Sequence, residues 1–412
     1  MTSDSGGDYD PETLFDTSRN NRQQIYNNRE LVDTNHVPAA DKIVGRKEEI
    51  QRLANVVSPL IDGQPTNSVL IYGKTGTGKS LVAKHIMQRL EIEAEQRPTD
   101  IGTAYVNCGS ANGTTRAVRN IGASLAPEVS SVSFPTRGLS TDEYFERIWE
   151  VVNTHYDSVI ITVDEVDMLR DDSPLMVLSR AGETGVADVP ISIIAISNKI
   201  NYRDQMDERT KSSFGHREFV FDPYDAAQLR EILEHRREAF QENVLGDAVI
   251  PRIAALAAKE HGDARKGVNL LFYLGEHAVE EGYDKITEEM IDDVRELADA
   301  ERLNSLISGL PSHARLIIVA LAALTKGDEG TDQWFRTSDI FDTYEIYCER
   351  EGADPLSGER RRQILDELSF LEITEAKTNH GGKNVGTYKE HRLMYDPDVV
   401  EHVYEATDPT ML

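Results

Sequence analysis

At 412 residues the chain is too long for one hydrophobic core, so two or three domains are expected. It has no apolar run of the ~18 residues a membrane span needs and no charged-then-apolar leader, which points to a cytoplasmic protein with no membrane partner. Its net charge of −28, from 72 acidic against 44 basic residues, would argue against nucleic acid if taken alone. We read it as a surface tuned to molar salt, where screening removes most self-repulsion, so charge does not decide the partner.

Residues 1–40 are polar and poor in periodic apolar positions, and read as a flexible arm. From Lys47 to Ile61, Ile50, Leu53, Ala54, Val57 and Leu60 share one helical face. Next comes an apolar strand from Val69, which runs into Gly73, Lys74, Thr75, Gly76, Thr77, Gly78, Lys79 and Ser80 and then a helix. This satisfies G-x-x-x-x-G-K-[ST] in full. The glycines let backbone N–H groups converge on a polyphosphate, Lys79 supplies charge near the β- and γ-phosphates of ATP or ADP, and Ser80 offers a hydroxyl to Mg²⁺.

Further short apolar runs at 104–108, 159–163, 191–196 and 218–221, separated by helical stretches, complete five strands of a parallel α/β sheet between helices. Cys108 falls at the end of one strand and Cys348 late on a helix; two cysteines cannot build a disulfide framework or a zinc site. Val163 is followed by Asp164 and Glu165, two carboxylates at the carboxyl end of a buried strand, where open α/β sheets hold ligands. Asp164 is the expected partner of Mg²⁺ through water, and Glu165 the base that polarises the attacking water. Asn198, at the tip of the next strand, can hold that water or touch the γ-phosphate.

From Tyr224 the pattern is helical only, over 225–241, 249–260, 265–281 and 287–308, forming a small second domain. A third unit starts near Leu310-Pro311 with helices over 312–324, 337–350 and 357–371. Two short strands follow, joined by the loop 379–384. Three helices and a β-hairpin spell a winged helix.

These motifs together resemble an AAA+ ATPase, and more narrowly an archaeal replication initiator of the origin-recognition/helicase-loader type, over about residue 30 to the end. The resemblance implies an AAA+ base (41–223), a helical lid (224–308) and a winged-helix DNA-binding domain (309–412). It makes Arg209, in Met206-Asp-Glu-Arg209, the arginine-finger candidate. Tyr224 and Arg236 at the start of the lid bound the nucleotide, and Arg265, in His261-Gly-Asp-Ala-Arg265, reaches the phosphates from the lid. It also implies adenine contacts from His36 to Pro38, Val37 among them, and a contact from Arg46. Between the two ATPase motifs, Arg137 matches a basic residue of an initiator-specific insertion that meets DNA. Physically, an arginine fork neutralises phosphoryl oxygens and a tyrosine offers a stacking face to adenine.

In the winged helix, Ser357 caps the third helix and Ile364, Leu365, Leu368 and Leu371 fix its buried face. Arg362 and Gln363 then point outward, Arg360 lies on the flank, and Arg361 falls on the buried side. Residues 358–392 hold seven Lys/Arg against six Asp/Glu, whereas 306–412 hold eleven against twenty, so cations concentrate where a recognition helix and wing would meet DNA. Lys383 and Lys389 are the wing candidates.

The expectation is an ATP-dependent, nucleoid-associated initiator that binds double-stranded origin DNA and helps load the replicative helicase. Further copies of itself or paralogues are possible neighbours, and hydrolysis is slow and switch-like. The rival readings are a nucleotide-gated transcription regulator and an AAA+ remodelling motor.

Overall fold

The computed structural model describes residues 16–34, 36–111, 113–169, 171–199, 202–214, 217–260, 262–307, 310–327, 333–371, 373–380 and 387–406. The chain divides into two compact units, Met1–Glu288 and Glu289–Leu412.

The first unit is built on five strands: β1 (Val69–Gly73), β2 (Ile101–Asn107), β3 (Ser158–Asp164), β4 (Ile191–Ser197) and β5 (Glu218–Phe221). They are parallel, in the order β2-β3-β4-β1-β5. All five β1 residues are buried, as expected of a strand covered on both faces. Its alternation sends Leu70 and Tyr72 into one core with Val118, Ile121, Ile148 and Val152. Val69 and Ile71 enter the opposite core with Leu53, Val57, Val82 and Ile86. The helices supplying those residues are Thr114–Leu125 and Thr141–His155 on one side, and Lys47–Val57 and Lys79–Ala94 on the other. Ser140 starts Thr141–His155 with a reciprocal cap, its hydroxyl accepting from the Glu143 amide at 3.3 Å while its own amide donates to the Glu143 carboxylate at 2.7 Å. β2 begins three residues earlier than the hydrophobic run suggests. Cys108 opens a short helix, Cys108–Ala111, and does not end the strand.

The register sets the functional edge. Asn107 lies opposite Asp164, and Tyr72 opposite Ser197, so the carboxyl ends of β1, β2, β3 and β4 stand side by side.

Helices Ala226–Arg236, Val249–Lys259 and Ala264–Glu281 form the lid. Residues 16–34, read from sequence as part of a flexible arm, are instead anchored on it. Helix Asp16–Ile25 leads to Tyr26, whose hydroxyl donates to the Phe272 carbonyl at 3.2 Å and whose ring stacks on Phe240. Arg29 pairs with Glu276 at 2.9 Å, and the Asn27 and Asn28 amides both donate to the Ala239 carbonyl. Gly275 makes room for the Tyr26 ring, which a Cβ there would strike.

In the second unit, helix Met290–Ile307, assigned to the lid on sequence, packs against Pro397–Ala406. Helices Ser312–Gly327, Thr337–Glu351 and Gly358–Phe370 surround a core that includes Ile317, Leu321, Tyr344, Ile364, Leu365 and Leu368. The hairpin β7 (Thr374–His380) and β8 (Thr387–Leu393) is joined by β6 (Phe335–Arg336), giving an antiparallel β6-β8-β7 sheet. Two residues are too few to register as a strand in the sequence.

Candidate nucleotide site and nucleic-acid interface

The loop Gly73–Ser80 forms a cradle. Gly76 (φ +72°) and Gly78 (φ +84°) are left-handed, turning successive amides toward one point. Helix Lys79–Ala94 starts from Gly78 with no side-chain cap, which leaves its first N–H groups for an anion. Lys79 is 4% exposed, and its ammonium bonds the carbonyls of Gly73 (2.8 Å) and Lys74 (2.7 Å). Burial pushes its pKa down to about 8, against the pull of Asp164. A buried cation resting on two neutral carbonyls fits a phosphate.

At the tip of β3, Asp164 is 4% exposed. One of its oxygens accepts the Glu165 amide at 2.9 Å and the other accepts the Tyr105 hydroxyl, which also reaches Ser80. Tyr105 thus brings the Ser80 hydroxyl and the Asp164 carboxylate together. One hydroxyl and one carboxylate are the sparse, hard-oxygen share that a protein gives Mg²⁺ when phosphates and water supply the rest, so these residues fit that ion. Among the described residues no cluster of three or more His, Cys, Asp or Glu side chains forms a closed metal site.

Glu165 has φ 54°, a left-handed conformation that is costly for a residue with a side chain and belongs with functional strain. Burial raises its pKa, while a hydrogen bond from the Asn107 side chain opposes that rise. Gly109 keeps the space open, since a Cβ there would strike the Glu165 carboxylate. Asn198, half-buried at the tip of β4, donates its backbone N–H to the Asp167 carboxylate at 3.3 Å.

The lid closes directly on the cradle. Ala264 donates its amide to the Gly76 carbonyl at 3.2 Å, and the Asp263 carboxylate lies where a Cβ on Gly76 would stand. Asp263 also caps helix Ala264–Glu281, accepting from the amides of Arg265 (2.8 Å) and Lys266 (3.2 Å). Arg265 is exposed, and its charge is felt by both Lys79 and Glu165. Arg236 is 8% exposed, its Nε has no hydrogen-bond partner among the described residues, and it lies near enough to His36 to help burial lower that imidazole's pKa. Half-buried Val37 follows His36.

Two expectations are corrected. Tyr224 is 4% exposed, with Arg46 4.1 Å over its ring and its hydroxyl against Gly78, so it packs the hinge and does not offer an open face to adenine. Arg46 is 3% exposed and committed to the protein: its Nε donates to the Thr77 carbonyl at 2.9 Å, its Nη2 to the Asp222 carbonyl at 2.5 Å and its Nη1 to Glu49 at 3.2 Å. It braces the loop from behind. Arg209 is exposed on helix Glu208–Phe214, and among the described residues no hydrogen bond or ion pair joins it to the cradle or β3.

Asn107 and Tyr105 are functional neighbours that the sequence reading misses. Their only signal is a polar strand end, which acquires meaning once β2 is known to pair with β3.

In the second unit Arg360, Arg362 and Gln363 are exposed on helix Gly358–Phe370, and Arg360 bonds Gln363 at 2.9 Å. Arg361 turns inward, over the Phe341 ring at 4.6 Å and onto Glu345 at 2.6 Å. Lys389 pairs with Asp366 at 2.8 Å, so that wing cation already has a partner; Lys383 lies outside the described residues. Arg137 is exposed.

Residues 42–194 match the AAA ATPase domain, 230–296 the Cdc6 AAA+ ATPase-type lid domain, and 305–403 the CDC6 C-terminal winged helix domain. Over 402 residues, 97% of each chain, the sequence is 49% identical to ORC1-type DNA replication protein 9 of Haloarcula marismortui. The chain belongs to the ORC1/Cdc6 family. Halobacterium salinarum ORC1-type DNA replication protein 4, like the first relative from a halophile, is 44% identical over 97% of this chain and 96% of its own. Among solved structures, the Aeropyrum pernix ORC1 protein in complex with DNA superposes with a TM-score of 0.77 at 31% identity, covering 93% of this chain and 97% of that one. As an ORC1/Cdc6 protein the chain is an AAA+ ATPase, with the five-stranded parallel sheet, helical lid and winged helix expected from its motifs. No helix among the described residues is long and apolar enough to cross a membrane.

Proposed function

We propose that this ORC1/Cdc6 protein is an ATP-dependent initiator of DNA replication that binds origin DNA and helps load the replicative helicase, with bound nucleotide as its conformational switch. The observation that carries the reading is the docking of the lid on the cradle, where Ala264, Asp263 and Gly76 meet and Arg265 extends its charge to Lys79 and Glu165. A group that senses phosphate sits on the element that must move.

Gly73 to Ser80 hold the phosphates of ATP or ADP, and Lys79 exchanges its two carbonyl partners for phosphate oxygens. Ser80 and Asp164 hold Mg²⁺, which neutralises charge on the phosphates when bound. Glu165 takes the proton of the attacking water and Asn198 orients that water. Arg236, with Val37 and its neighbours, bounds the base, and Arg265 registers the γ-phosphate from the lid. Arg209, exposed on its own surface, serves the site of an adjoining copy or paralogue. Arg362, Gln363 and Arg360 meet the major groove, Lys389 and Lys383 the backbone beside it, and Arg137 a second stretch of the duplex. The bound DNA in the Aeropyrum pernix ORC1 structure supports this partner for a relative of the same fold.

Fluorescence anisotropy of origin and scrambled duplexes, from about 0.2 to about 3 M KCl, tests the reading. Carboxylates around the few cations repel DNA at low salt and are screened at molar salt, so preference for the origin duplex should persist in molar KCl with a shallow or inverted salt slope. Absence of any origin preference across that range removes the initiator function.

A further inference from the structure

Asp167, three residues beyond Asp164, takes no part in the functions described so far, yet its side chain ties the turn after β3 to the tip of β4. Its carboxylate is 7% exposed. Oδ1 accepts the Ser197 hydroxyl at 2.9 Å and the Asn198 amide at 3.3 Å, and Oδ2 lies 3.7 Å from the Lys199 ammonium. Three consecutive residues of one strand end are thus held by one side chain from the turn after the neighbouring strand.

The surroundings show why such a tie is needed. β3 and β4 are registered by the sheet as far as Val163 opposite Ala195, and no ladder pair follows. Asn198 lies three residues beyond that pair; on its other side β4 stays paired with β1 as far as Ser197 opposite Tyr72, so the ladder fixes the tip of β4 against β1 but not against the turn after β3. The Ser197 hydroxyl also accepts the Lys199 amide at 3.0 Å, folding the strand end into a tight turn whose direction Asp167 fixes. On the other side, Asp167 stands in the turn that begins at Glu165, where the Met168 amide bonds the Glu165 carbonyl at 3.0 Å. In the roles proposed above, Glu165 and Asn198 act on one water from different strands, and an error of about 1 Å between them can cost on the order of 100-fold in rate.

We propose that Asp167 is a positioning residue for hydrolysis, holding Asn198 in register with Glu165 through the Oδ1 bonds to the Ser197 hydroxyl and to the Asn198 backbone N–H, which leaves the Asn198 side chain free of that bond. The inference rests on the role given to Asn198 above. It assigns the function to the acceptor oxygen and not to the charge, because both bonds converge on Oδ1 while the lysine pairs with Oδ2.

Asp167→Asn and Asp167→Ala separate these possibilities, since the amide retains the Oδ1 acceptor and alanine removes it. Single-turnover ATP hydrolysis by the full chain in molar KCl should fall about tenfold or more in Asp167→Ala and stay near wild type in Asp167→Asn. The rise in melting temperature on adding Mg·ADP should be unchanged in both, because binding does not use Asn198. Loss of that rise in step with the rate would mean a general structural role and would overturn the proposal.

The decisive comparison is made in an Asn198→Ala background, where Asp167→Ala should cause no further loss if it acts through Asn198. Multiplying losses overturn the proposal, as does a rate lowered equally by Asp167→Asn. Ser197→Ala, which removes the partner hydroxyl and leaves the carboxylate, should lower the rate without changing ADP binding, and an unchanged rate there also counts against the tie. Should Asn198→Ala alone leave hydrolysis intact, the role of Asn198 fails first and the inference with it. A lowered rate in Asn198→Ala beside a normal rate in Asp167→Ala overturns the inference alone.

Discussion

His391 gives the winged-helix unit an acid-sensitive core. It sits in β8 between Phe335 of β6 and Ala376 of β7, is 1% exposed, and neither ring nitrogen has a hydrogen-bond partner among the described residues. Burial, assisted by Lys389 and opposed by Asp366, pushes its pKa down to about 4. In the unfolded chain the imidazole takes its ordinary pKa of about 6.5. Above that value it is neutral in both states and contributes no pH dependence. As pH falls toward 4 the unfolded chain gains a proton that the folded chain refuses, so stability present above pH 6.5 is progressively lost. At about 1.4 kcal/mol per unit, the loss between about pH 7.5 and about pH 4.5 is roughly 2 to 3 kcal/mol. Carboxylates titrate in the same range, so the comparison is with His391→Leu, which retains apolar bulk and cannot titrate. Guanidinium unfolding of the full chain can be followed through Trp334, which lies 4.1 Å from Lys377 and 5.2 Å from Arg392, in a Trp149→Phe background. The wild type should lose that much more stability than His391→Leu over the range. Parallel pH profiles for the two would refute the reasoning.

Arg265→Ala should leave the nucleotide-free melting temperature nearly unchanged but reduce its rise on adding ADP, since Arg265 is exposed and its expected partner is phosphate; an unchanged rise removes it from the site. Gly76→Ala places a methyl on Asp263 at φ +72°, costing about 1–2 kcal/mol in backbone conformation alone and displacing the lid, so thermal shifts should show little response to ADP. Arg362→Ala should lower affinity for the preferred duplex without lowering the melting temperature. Arg361→Ala should lower the melting temperature, because Arg361 packs on Phe341 and Glu345.

What could be read from sequence was contiguous. The cradle, Asp164-Glu165 and the apolar face of helix Gly358–Phe370 each lie in one stretch whose spacing carries its own geometry, and the inward position of Arg361 follows from 100° per residue alone. Asn107, Tyr105 and Asp167 were not legible as site residues because their roles arise between strands, from the pairing of β2 with β3 and from the reach of the β3 turn to β4. Residues 16–34 were misjudged for another reason. Their anchoring uses Asn21, Tyr26, Asn27 and Arg29 hydrogen bonds to the lid, and hydrophobic periodicity does not register such contacts. Tyr224 and Arg46 were placed in the right neighbourhood by resemblance, but that they face each other is visible only in three dimensions.

The central claim is that Lys79 binds phosphate while Glu165 activates water, two separable functions of one site. Nucleotide filter binding and single-turnover hydrolysis on Lys79→Ala and Glu165→Gln measure them directly. The account predicts that Lys79→Ala loses nucleotide binding, and that Glu165→Gln retains binding while hydrolysis stops. Hydrolysis by Glu165→Gln at the wild-type rate would contradict it.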